Sequence, residues 1–138
     1  MDEVDKATES TKIKKAQELW RKRGPIGKFH NLVVYIRSSS QRREAFKQCL
    51  VGGSNDDLMV ILDNSTRWNS TYYSIKRGLK LKERLMVYSS LNKAHISDDY
   101  LSDTDWDHLQ EIVTALEPFE EATIQTEGRA TKGYYGAV

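Results

Sequence analysis

The chain is 138 residues long, with a net charge of +1, 38% hydrophobic and 30% charged residues, and a mean hydropathy of −0.65. That length suits one domain, while the apolar share is too high for full disorder and lean for a self-sufficient core. Secretion and membrane insertion are read out: MDEVDKATESTKIKK starts acidic and lacks a signal peptide's apolar run, no stretch of about 18 apolar residues occurs, and the lone Cys49 cannot form an internal disulfide.

In chain order, residues 1–9 read as a polar lead. A first helix is predicted from Ser10 to Arg23. Ile13, Ala16, Leu19 and Trp20 fall at helical spacing, Ser10 or Thr11 can cap the start, and Arg21, Lys22 and Arg23 suit the negative end of the dipole. Gly24-Pro25 stops it. A second helix is expected over Gly27–Arg37, striped by Phe29, Leu32, Val33 and Ile36; the β-branched run Val33–Ile36 offers a strand as the alternative. Ser40 to Leu50 reads as a third helix and Gly52-Gly53-Ser54-Asn55 as a turn. The apolar run Leu58–Leu62 is either a short buried strand or the lead-in to a helix. Asn69 or Ser70 then caps a long helix from Thr71 to Leu91, because Asn, Ser and Thr gather where helices begin. After a polar link over 92–103, SDTDWD opens a further helix through Trp106, Leu109, Ile112, Val113, Leu116 and Phe119, with Pro118 expected to kink or restart it. From Glu127 the pattern dissolves into an irregular tail, 127–138. The reading is mainly α, about five helices with room for one short strand near 58–62, arranged as a basic helical segment over 10–50 and a second helical segment over 58–126.

The small net charge conceals a segregation. Lys12 to Lys47 holds eleven Lys or Arg against two acids, Arg67 to Lys93 seven against one, and Ala94 onward ten acids against two basic residues. Such asymmetry points to nucleic-acid contact or to a missing partner surface; solvated helix faces of differing sign are the plain alternative. The candidates for phosphate contact are Lys14, Lys15, Arg21, Lys22, Arg23, Lys28, Arg42 and Arg43, with Lys12 beside them and Arg67 next to Trp68. Phosphate contacts give affinity without sequence choice, so DNA binding would be weak and non-specific. The two N-terminal basic clusters also resemble a nuclear import signal. A nuclear location is favoured over a cytoplasmic one, and the sequons at Asn64 and Asn69 are then expected to carry no sugar.

No catalytic set is legible. Cys49 has no nearby His in sequence and reads as a buried structural thiol; His30, His95 and His108 are isolated and lack metal-ligand spacing. Asp56-Asp57, Asp63, Asp98-Asp99, Asp103 and Asp107 read as solvated acids rather than metal ligands, and Asp105 as a favourable charge in a helix's first turn. Trp20 and Trp68 read as core anchors.

Three ordered stretches, LWRKRGPIGKFHNLVVYIRSSSQRREAF, LMVILDNSTRWNSTYYSIKRGLKLKERL and DTDWDHLQEIVTALEPFEEATIQTEGRATKG, resemble successive segments of hAT-family transposases, especially the forms common in filamentous fungi. Thr66–Thr71 is the most specific part. The residues matching the family are structural-looking: Arg67, Trp68, Asn69, Ser70, Trp106, Leu116, Pro118 and Phe119. The resemblance implies an internal piece of a ribonuclease H-like catalytic domain interrupted by a helical insertion. Family members bind a divalent metal such as magnesium through three acids. The matched region is expected to hold none of these acids, neither the zinc finger nor the dimerisation segment, no cofactor, and no catalytic role for any residue, Asp63 included. The expected function is a catalytically inactive fragment whose ancestral activity is DNA binding and cut-and-paste transposition. The alternative is a helical module that binds the parent transposase or another protein through Trp106, Ile112 and Leu116. No membrane partner is expected.

Overall fold

The computed structural model describes residues 3–50, 58–63 and 68–134, with side chains over 8–50, 58–63, 68–120 and 122. Its helices are α1 (Glu3–Arg21), α2 (Pro25–Arg37), α3 (Ser40–Gln48), α4 (Trp68–Lys80), α5 (Lys82–Leu91), α6 (Lys93–Ile96) and α7 (Asp103–Tyr134), with one 3-10 turn at Ser97–Asp99. The mainly-α reading agrees. The helix count does not, and no strand occurs among the described residues.

Most differences fall at element ends. α1 begins at Glu3, so most of the expected lead is helical: Glu and Ala favour a helix even where no apolar stripe marks one. α2 begins at Pro25, whose fixed φ and missing N–H suit a first helical position, and Val33–Ile36 lies in the helix. The single helix expected from Thr71 to Leu91 is two, separated at Leu81, which is buried in the core. The link at 92–103 contains α6 and the 3-10 turn, where Ser97 takes a positive φ of 52°. α7 continues through Pro118 to Tyr134, about 48 Å at 1.5 Å per residue, so the helix does not restart at Pro118 and most of the expected irregular tail is helix. The glycine turn at 52–55 lies outside the described residues.

α2 is the central element, packing on α1, α3, α7 and the 3-10 turn. Its Phe29, Leu32, Val33 and Ile36 are buried with Phe46, Tyr72, Ile75, Leu85, Tyr88, Trp106, Leu109 and Val113 in one core. Close approach depends on glycine at Gly27, where a Cβ would stand 1.5 Å from the Trp20 carbonyl oxygen. Residues 58–63 run extended across this core and pair with helices rather than with a strand. From α4, the Thr71 hydroxyl donates to Asp63 (3.2 Å), the Ser74 hydroxyl to the Ile61 carbonyl (2.7 Å) and the Arg77 guanidinium to the Met59 carbonyl (3.0 Å). From α2, Arg37 donates to the Val60 carbonyl (3.0 Å) and His30 Nδ1 lies 2.5 Å from Asp63. Helix side chains thus satisfy backbone groups that a sheet would otherwise have to pair.

Candidate nucleic-acid interface

The nine predicted phosphate contacts divide by what the fold does with them. Arg21 is an internal latch: Nε and Nη2 donate to the two carboxylate oxygens of Asp99 at 2.9 and 3.2 Å, and Asn31 donates to the same Asp99 at 3.0 Å. The Asp99 hydrogen bond raises the Arg21 pKa against the cost of burial. Lys28 reaches Asp105 at 3.1 Å. Burial pushes the Asp105 carboxyl up, but hydrogen bonds from Ser102 and Lys28 outweigh it and hold it below the usual carboxylate range. Arg42 lies 3.9 Å over the Tyr35 ring and donates to the Ser38 hydroxyl (2.7 Å), and Arg43 donates to the Arg37 carbonyl (2.6 Å). Both therefore bind the C-terminal end of α2, where carbonyls lack helical partners. These four side chains do structural work. Arg67 lies outside the described residues.

The remaining four are exposed, but only Lys15 and Lys22 share a side of α1; Lys14 lies toward the Arg21 side. Lys14, Lys15, Lys22 and Arg23 are exposed on α1 or just past its end, as is Lys12. At 100° per residue, Lys12, Lys15, Leu19 and Lys22 share one side of the helix, opposite Gln17 and Arg21, which face α2 and the 3-10 turn. Arg23 lies 4.2 Å over the Trp20 ring, and Trp20 stacks on His30 with ring centres 3.6 Å apart. An exposed row of cations on one helix, backed by a stacked arginine, can meet a phosphate backbone.

The acids are also organised, which sequence spacing did not reveal. Burial raises the Asp63 carboxyl, but His30 and Thr71 more than compensate and hold it low. The His30–Asp63 pair joins α2 to the segment over 58–63. The Tyr72 hydroxyl donates to Glu120, and Lys76 lies 3.1 Å from it; these bonds hold the Glu120 carboxyl low. Among the described residues no three His, Cys, Asp or Glu side chains converge so as to hold a metal ion. No helix of the described residues is long and apolar enough to cross a membrane.

The motif residues play several parts. Trp106 is buried edge-on to Phe29, and Ile112 and Leu116 pack against the core, so the face offered for partner binding is spent inside. Asn69 and Ser70 lie within the first turn of α4 rather than ahead of it. Trp68 is 42% exposed and so is no core anchor; it meets Phe119, 59% exposed, with ring centres 6.5 Å apart, and Pro118 is exposed beside it. Cys49 is half-buried, with burial raising its pKa.

A mainly helical body packed around α2, with a cationic outer side on α1, defines the class, a helical module. The family model described as the ZBED1 RNase-like helical domain matches residues 11–115, and the chain belongs to that family. It is 32% identical over 94 residues to tpeD of Talaromyces stipitatus, named as a transcriptional regulator, covering 68% of this chain and 11% of that one. It is 37% identical over 75 residues to the zinc finger BED domain-containing protein DAYSLEEPER of Arabidopsis thaliana, covering 51% of this chain and 10% of that one. The chain thus spans about a tenth of the length of these curated relatives. No solved structure matches. Family and relatives together support the hAT-like, transposase-related reading.

Proposed function

We propose that this chain is an internal helical piece of a fungal-type hAT transposase, or of a regulator derived from one, and that it holds DNA by its backbone without cutting it. It works in the nucleus. The ancestral activity is cut-and-paste transposition, with the metal-binding acids of the ribonuclease H-like domain supplied by parts of the full protein other than this chain. The observation that carries the reading is the exposed cationic side of α1, Lys12, Lys15 and Lys22 with Arg23 flanking. Binding should be weak and indifferent to sequence, because nothing on this face is shaped to read base edges. Titration of a fluorescent 20-base-pair duplex across a salt series tests it. Three phosphate contacts, one for each lysine of that side, give a slope of log K against log salt of about −2.7. Absence of a complex at low salt removes the reading.

The exposed Trp68–Phe119 contact supports a second reading, a protein-interaction module without nucleic acid. Binding through those rings to the parent transposase or another protein would be nearly insensitive to salt.

A further inference from the structure

α4 carries a second cationic surface that the α1 reading does not use. Tyr73, Lys76, Arg77 and Lys80 recur at i, i+3, i+4 and i+7 and line one face of the helix. With Ile61 of the extended segment they form a groove of about 310 Å³. Three cations line it and no acid does. Glu120 of α7 binds Lys76 at 3.1 Å and also takes a hydrogen bond from Tyr73. The Lys76 contact and the Arg77 bond to the Met59 carbonyl hold two of the cations in place before any ligand arrives, which lowers the ordering cost of binding. Lys80 is exposed, and Tyr73 keeps 41% of its surface open. The stripe spans about 10 Å along the helix, on the order of three nucleotides of a stacked strand. α1 packs on α2 whereas α4 packs on α7 and α5, so the two cationic surfaces belong to different parts of the body.

We propose that the Tyr73–Lys76–Arg77–Lys80 groove binds single-stranded nucleic acid, its cations meeting successive phosphates and the Tyr73 ring stacking on a base. An open ring among cations favours this ligand over a duplex, whose bases are stacked on one another, and over an acidic peptide, which offers no π-face.

The test is fluorescence anisotropy of a labelled ten-nucleotide oligo(dT) with the 138-residue chain at low salt. Lys80→Glu should weaken binding at least tenfold, and Tyr73→Ala about fivefold or more. Polyglutamate of equal charge should not displace the oligonucleotide. Both substituted side chains are exposed, and unchanged circular dichroism and urea midpoints would verify the fold. A Lys15→Glu/Lys22→Glu variant should lose duplex binding and keep oligo(dT), separating this site from the α1 face. Unchanged oligo(dT) affinity in both groove variants overturns the proposal. So does loss confined to the α1 variant, insensitivity to Tyr73→Ala alone, which would mark a general anion site, or displacement by polyglutamate.

Discussion

The packed body of this molecule and the outer face of α1 both use cations, but different ones. The side chains that bind the body together are mainly arginine: Arg21 clasps Asp99 and the buried Arg84 donates to the Leu50 carbonyl, while Arg37 and Arg77, nearer the surface, donate to the carbonyls of Val60 and Met59. The outer face of α1 uses lysine, at 12, 15 and 22. A guanidinium is planar, carries five donors and is less strongly hydrated, so it can satisfy fixed acceptors at low desolvation cost; an ammonium holds its water and remains a mobile point charge. The exceptions obey the same physics. Lys28 and Lys76 each meet a single carboxylate at the boundary, and Arg23 stays outside because Trp20 offers a ring to stack on. Positive charge in a sequence therefore does not by itself mark a binding surface.

The strongest way to break this comparison is to detach α1 from the body. Gly27→Ala should cost about 3 kcal/mol or more, because its Cβ would stand 1.5 Å from the Trp20 carbonyl oxygen and both groups are backbone-held. The lowered midpoint would appear in urea unfolding. A sharper cut compares neighbours. Arg21→Met should cost about 1.5–3 kcal/mol by leaving the nearly buried Asp99 short of its charged partner, whereas Lys22→Met should stay within about 0.5 kcal/mol. Equal losses in the two variants would end the distinction.

Acid titration probes the packed-body side of the comparison. Asp63, Asp105 and Glu120 are all held below their ordinary range when folded. A lowered folded value means the stabilisation is complete above the unfolded values of about 3.9–4.3. It is lost as pH falls through the lower folded ones. Urea midpoints should be flat on their account from pH 7 to about 5 and then decline. Asp63→Asn should flatten that decline, and a wild-type midpoint unchanged at pH 3 would mean these contacts do not form. The smallest effect is on the outer face. Lys15→Gln and Lys22→Gln should each reduce the salt slope of duplex binding by about 0.9 while leaving stability nearly untouched.

The places where the sequence was legible follow from local physics. The stripe Phe29–Leu32–Val33–Ile36 has the helical period, and it is buried as that period requires. Ser102 and Asp105 trade hydrogen bonds between side chain and backbone, at 2.9 and 3.1 Å, in the capping arrangement that SDTD suggests. The resemblance carried by the motif from Thr66 to Thr71 agrees with the family match over residues 11–115. What could not be read was any feature that depends on sequence-distant partners. Nothing near Leu58–Leu62 says that Thr71, Ser74 and Arg77 will bond the extended segment, so strand and helix stayed open. Trp106, Ile112 and Leu116 make an apolar face whether the neighbour is another protein or, as here, the core beneath α2.

The charge segregation shows the division most directly. By itself the sequence determined that basic residues precede acidic ones, because composition is a local property. Only the tertiary structure decided that Arg21 meets Asp99 across 78 positions, Lys28 meets Asp105 across 77 and Lys76 meets Glu120 across 44. Packing around α2 brings those halves together, and Coulomb attraction between partly desolvated groups then favours pairing where water would have screened it. The cations on the outer side of α1 were left to face solvent by the same packing that enclosed the others.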